Sequence, residues 1–258
     1  MSLLCVLGYG RGVEFAGFLE QIAGHAAGLR AAAVAAGPAG LVPTCPGWTV
    51  HALVRHVAGV HGWAARALGT DPRAVDGPSV SPPEEWRDLL DWWAAELAAL
   101  LDGLRSGGPD APAWVFDAED APTMAFWARR QAHETAIHRL DAEHARAGAV
   151  PVAIFEPELA ADGIDEALTL WVPRTPTPEP PVPEPPEGSV VFRATDLGRA
   201  WLVRLAPGVP PRTGAAGETG GDATVTGTAD AVYRAVWGRP SAAVVSGSHA
   251  LVEALRTP

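Results

Sequence analysis

Glu134 and His138, in the run HETAIH from His133 to His138, are of types and at a spacing that could do chemistry together. A four-residue step on an α-helix puts roughly 40° between side chains, so both would face one side. With Glu134 as origin, Trp127, Gln131, Asp141 and Ala145 fall within about 60°. Arg129, Ala136, Arg139 and Glu143 fall roughly 140–220° away. The Glu134/His138 face therefore opposes the most charged arc and is expected to point inward, where a lone carboxylate is costly without a partner. A metal cation is one such partner, and Arg130 on the flank is another. Glu–His pairs at this spacing also occur commonly on solvated helix surfaces, so spacing alone leaves the readings open. HETAIH is not the HExxH of metalloproteases, because His133 and His138 are five apart, and peptide hydrolysis by that motif is disfavoured.

A third ligand would come from the stretch opening at Thr49, which carries His51, His56 and His61. Its apolar stripe is Leu53, Val57, Val60, Ala64 and Ala67. On a helical wheel His56 lies roughly 60° from the stripe's centre and His61 roughly 80° away on the other edge. His51 lies opposite, so the wheel discards it and prefers His56 to His61 only slightly. A histidine beside an apolar stripe is as a rule a satisfied core residue, which is the competing reading. Two imidazoles and one carboxylate would leave a coordination position open, as catalytic zinc sites do. Such a set suits zinc, with iron, nickel and manganese as alternatives. No functional role is expected for His25, His61, His133 or His144, and Cys45, beside Pro46, is read as structural. Trp48 and Trp63 are read as core, with a pocket wall as the alternative.

The elements that must position these residues are legible as apolar periodicity and turn signals. Helices are expected over about Val13–Ala36, Thr49–Leu68 with Thr49 as N-cap, Pro83–Leu104 and Thr123–Ala147, the last stopping at Gly148. Four such helices suggest a four-helix bundle over residues 10–150. The character changes over residues 151–258. A short helix is expected over Glu158–Trp171, and the Pro-rich run Pro173–Gly188 can be neither helix nor central strand. Strands are expected at Ser189–Arg193, Ala200–Leu205, Ala223–Thr226 and Ala242–Ser246, and helices at Ala229–Trp237 and Ser248–Leu255. Leu205–Asp222 is rich in Gly and Pro and is expected to be loop. The fold class is α+β: a helical bundle followed by a small α/β domain.

Composition narrows the function. A hydrophobic content of 48% supplies a sizeable core. The 19 basic against 30 acidic side chains give a formal net charge of −11, which disfavours nucleic acid and anionic membrane as partners. Cys5 and Cys45 are the only cysteines, too few for a disulfide framework or a four-cysteine zinc site. No apolar run reaches the roughly 18 residues of a membrane span, and the opening lacks a signal peptide's positive start, so a cytoplasmic protein is expected.

Three separated segments resemble a known family. Val42–Ala64 (VPTCPGWTVHALVRHVAGVHGWA) resembles the start of the second helix of the mycothiol-dependent maleylpyruvate isomerase family, a branch of the DinB-like metal bundles. Arg129–Glu143 (RRQAHETAIHRLDAE) is similar to that family's second motif, and Asp222–Pro240 to its C-terminal domain, which resembles sterol-carrier folds. The resemblance implies His56, Glu134 and His138 as ligands of a divalent metal, and mycothiol, a small thiol, as cosubstrate. It implies an isomerase or S-transferase in which an activated thiolate attacks a small electrophile. Arg239, in VWGRP, is the expected cation for a substrate carboxylate, with a helix-end cation as its other reading. The partners implied are a small-molecule substrate and a low-molecular-weight thiol, on a monomer or small homo-oligomer. Two other classes compete: a metal-dependent hydrolase of small molecules, and a non-catalytic ligand-binding protein whose metal only stiffens the bundle.

Overall fold

In the computed structural model, residues 13–116, 121–151, 155–174, 187–216 and 220–255 are described. The first dozen residues, expected to be an irregular extension, and most of the Pro-rich run lie outside them.

Four long helices form as the apolar periodicity requires. Helix α1 (Phe15–Ala36) buries Phe18, Leu19, Ile22 and Leu29, which recur on one face. Helix α2 (Val50–Ala67) starts where the Thr49 side chain accepts the Ala52 N–H at 3.3 Å, satisfying a donor the helix itself cannot pair. Helix α3 (Trp86–Gly107) begins three residues later than the sequence suggests, after Glu84 and Glu85. Helix α4 (Met124–Ala147) ends at Gly148, whose φ of 62° is left-handed and free of steric cost only for glycine.

Helix α1 packs along α4, α2 along α3, and α2 also touches α4. The charged arc of α4 does not face solvent. Ala136 is fully buried, and α4 is covered from Trp127 to Ala142. Helix α1 covers one part of that arc, where Arg139 lies against Gly28 and reaches His25 Nδ1 at 3.4 Å. Helix α5 (Pro157–Glu166) meets another part, where Arg129 pairs with Asp162 at 2.8 Å and Asp165 at 3.0 Å. The expected single helix over Glu158–Trp171 is α5 followed by a π-helical turn (Ala167–Trp171) and a 3₁₀ turn (Val172–Arg174).

The C-terminal half holds a five-stranded sheet in the order β3-β2-β1-β4-β5. Its strands are β1 (Gly188–Ala194), β2 (Arg199–Ala206), β3 (Val209–Ala215), β4 (Ala223–Gly227) and β5 (Val244–Gly247). Strands β1 and β4 are parallel, in register Val190↔Ala223 and Phe192↔Val225, and the other pairs are antiparallel. The parallel pair brackets the apolar centre, where Val190, Val191 and Val225 are fully buried. Helix α6 (Ala229–Val236) packs against α5, and a short helix α7 (His249–Glu253) closes the described chain. Strand β3 corrects the expectation of a loop between Leu205 and Asp222. Its sequence, VPPRTGA, is tolerated as strand because β3 is an edge that pairs on one side only, with β2. Among the described residues, no helix is long and apolar enough to cross a membrane.

Candidate metal centre

His56 sits in the second turn of α2, and Glu134 and His138 sit mid-way along α4. The two helices bring them together. His56 Nε2 lies 2.8 Å from Glu134 Oε1, and His138 Nε2 lies 3.3 Å from the same oxygen. The imidazole centroids are 4.9 Å apart, at 76°. The Trp48 ring backs both, 5.1 Å from His56 and stacked at 6.3 Å on His138. The three donor atoms all lie within 4.8 Å of one another, close enough to share one ion. His56 is the partly open member, with its side chain 38% exposed against 12% for Glu134 and 10% for His138.

The chemistry of this donor set fits a cation. Asp141 Oδ2 lies 2.9 Å from His138 Nδ1, which therefore carries the proton and donates. In neutral His138 the Nε2 lone pair then faces the Glu134 carboxylate, two acceptors in contact. Positive charge between them resolves this. Without an ion it is a proton: burial disfavours imidazolium, but Glu134 and Asp141 raise the His138 pKa well above its usual value. Burial likewise opposes the Glu134 charge, yet His138, His56 and Arg130 hold its pKa well below normal. A divalent ion would replace that proton, held by His56, Glu134 and His138.

Behind these three side chains stands Asp141, fully buried. It accepts from Thr44 Oγ1 at 2.6 Å, from Cys45 Sγ at 3.4 Å, and from Arg239 Nε at 3.1 Å and Nη2 at 2.9 Å. Cys45, His138 and Asp141 form a second cluster compatible in distance with a metal. The Arg239 guanidinium already neutralises its carboxylate, so this cluster reads as the carboxylate–histidine support of the first. Arg130, 2% exposed, bonds Glu134 Oε2 at 3.0 Å and also Glu166, with Trp171 and Trp237 packed over its guanidinium.

The three side chains open into a cavity of about 430 Å³ at the seam between the helical and sheet halves, walled by Trp48, Ile137, Trp171, Trp237 and Arg239. A groove of about 530 Å³ between α5 and β2–β3 is wider. Its carboxylates Asp162 and Asp165 are already held by Arg129, and Asp162 by His133 as well, so it offers no convergent ligand set.

Comparison with known proteins decides the family. Residues 19–143 match the mycothiol maleylpyruvate isomerase N-terminal domain, and residues 158–254 match the C-terminal domain of the same enzymes. The chain belongs to the mycothiol-dependent maleylpyruvate isomerase family. A crystal structure of the mycothiol-dependent maleylpyruvate isomerase superposes with a TM-score of 0.60 at 16% identity, over 91% of this chain and 94% of that one. A mutant of that enzyme superposes with a TM-score of 0.59 at 16% identity, over the same 91% and 94%. No curated protein sequence matches.

Within this family fold the near-tie on α2 is resolved by packing. His56 turns to the cavity, while His61, fully buried, goes to the core with Trp93 and Thr135. Arg239 reaches the cavity wall, with its fork bound to Asp141. Trp48 lines the cavity, whereas Trp63 packs against Trp114, Phe116 and Trp127 away from the ligands. Asp141 was missed as a supporting residue. Its position three residues after His138, on the Glu134 face, is the sequence signal that marks it.

Proposed function

We propose that this protein is a metal- and thiol-dependent enzyme that adds a thiolate to a small conjugated electrophile, as isomerase or S-transferase. The observation that carries the reading is the convergence of His56, Glu134 and His138 at a cavity open to solvent. Membership of the mycothiol-dependent maleylpyruvate isomerase family supports the thiol as cosubstrate. We also propose the division into a bundle at 10–150 and an α/β domain at 151–258.

A divalent ion, zinc by its donor set, would be held by His56, Glu134 and His138 and would supply thiol deprotonation at neutral pH. The chain's own residues do the rest. Asp141 keeps the His138 proton on Nδ1. Trp48 fixes both imidazoles. Trp171 and Trp237 keep water from the reacting carbon. Arg239 holds a positive charge at the wall, where a substrate oxygen would have to share it with Asp141. The thiolate sulfur attacks a conjugated cis-alkene, a C–S bond forms, and the π electrons move onto the adjacent carbonyl. Rotation about the resulting single bond and expulsion of the thiolate return the trans isomer. If the carbon is protonated instead, a stable thioether remains.

The test is a panel of conjugated alkenes, maleylpyruvate included, run with and without mycothiol beside small esters and amides. Consumption of an alkene only with thiol, lost on chelation and in His56→Ala, is the expected result. Hydrolysis without thiol would favour a metal hydrolase instead, and inactivity on the whole panel would favour a non-catalytic binding protein.

A further inference from the structure

We propose that the electrophile this cavity accepts is a neutral, largely apolar conjugated molecule rather than a small dianion; the proposal rests on the thiol-addition reading above.

The first observation is the wall. Trp48, Trp171 and Trp237, with Ile137 and Pro46, line a cavity of about 430 Å³. The wall is preformed. Trp171 packs on Arg130 at 5.4 Å and stacks on Phe116 at 5.9 Å and 22°. Trp237 packs on Arg130 at 5.5 Å. Such rings offer apolar area and stacking faces without ordering cost on binding.

The second observation is the state of the cations. Arg239 is the one Arg or Lys among the described lining residues. Its Nε and Nη2 are bound to Asp141, its Nη1 donates to the Trp237 carbonyl at 2.6 Å, and Nη2 also reaches Cys45. Arg130 lies behind the wall, committed to Glu134 and Glu166. Two guanidiniums thus face three carboxylates: Asp141, Glu134 and Glu166. A divalent ion with one thiolate adds a single positive charge, which brings the site to neutrality. Were Glu166 protonated, one positive charge would remain against a dianion's two. A dicarboxylate entering this cavity would lose its hydration and find, among the described residues lining it, no uncommitted cation to replace it.

The test uses full-length, metal-loaded protein with mycothiol present. Calorimetric titration compares 4-phenyl-2-butanone, neutral and lacking a reactive double bond, with maleate as the dianion. The ketone is expected to bind at least tenfold more tightly. Trp171→Ala should cost the ketone about tenfold while metal content is unchanged, and Trp171→Phe should restore most of it. A dianion that binds as tightly as the ketone or better, or a ketone that does not bind, overturns the proposal. A parallel kinetic arm compares thiol-dependent consumption of 4-phenyl-3-buten-2-one and maleylpyruvate, with kcat/KM expected at least tenfold higher for the enone. If the ketone binds preferentially but no thiol adds to the enone, the ligand class stands and the thiol-addition reading falls.

Discussion

At the Asp141 carboxylate, donors from three parts of the chain meet: Thr44 and Cys45 from the loop before α2, His138 from α4, and Arg239 from beyond α6. Burial alone would raise the pKa of this group, but His138 and Arg239 hold it well below the usual carboxylate range. Asp141 therefore stays charged and keeps His138 in the tautomer whose Nε2 is free for an ion. Asp141→Asn should lower divalent-metal affinity by about 10–100-fold. Competition against a chromophoric chelator measures this independently of turnover, and retained helical circular dichroism would show that the fold survives. His56→Ala should leave the fold intact, because its ring is 38% exposed, yet abolish stoichiometric metal in elemental analysis. Glu134 and His138 were legible as a pair at helical spacing. His56 was preferred to His61 only slightly on the wheel and was implied by the family resemblance, because both histidines flank the same apolar stripe; packing then turns His56 to the cavity and His61 to the core.

Among the elements, α2, α3 and α4 are locked in register by a buried polar chain near the site. Trp93 Nε1 donates to His61 Nδ1 at 2.9 Å, so His61 Nε2 carries the proton and donates to Thr135 Oγ1 at 2.9 Å. Thr135 in turn donates to the Gln131 carbonyl at 2.6 Å. Burial pushes the His61 pKa down to about 4. Burial, with Arg139 adding to it, does the same for His25, also to about 4. The unfolded chain takes up these protons near pH 6.5, before the folded one does. Both contributions are therefore complete above pH 6.5 and are lost as the pH falls from there towards 4. For fully buried His61 the loss is on the order of 3 kcal/mol. Urea unfolding between pH 7 and 4 should show the decline, and His61→Gln should make it shallower. At this scale the four long helices and their stops follow from periodicity, Thr49 and Gly148. Strand β3 does not, because Pro and Gly signal a loop unless the segment is known to lie at a sheet edge.

Across the whole molecule, polar contacts bind α4 to α5 of the C-terminal half. Arg129 and His133 hold Asp162 at 2.8 and 2.7 Å, and Arg130 joins Glu134 to Glu166 of α5. Arg130→Met would leave Glu166 buried without its cation and deprive Glu134 of one partner. The expected cost is about 3–5 kcal/mol in denaturant unfolding. Pairing it with Glu166→Gln should recover much of that loss, since the orphaned charge is then gone. This coupling makes the candidate metal centre a property of both halves: the bundle supplies His56, Glu134 and His138, and the C-terminal half supplies Arg239, Trp237 and the partners of Arg129 and Arg130.

Residue type and helical period were enough to mark Glu134 and His138, to place the four helices and to give the mixed α+β class, because these depend on interactions within a few turns of chain. Three separated segments also carried the family. Where α4 buries its charged arc and that Arg239 is tied to Asp141 were decided only by tertiary packing, which also turned a slight preference for His56 into a defined geometry. These contacts join residues 33 to 114 positions apart in the chain. Burial and charge pairing are set by what covers a helix, and local periodicity holds no record of that.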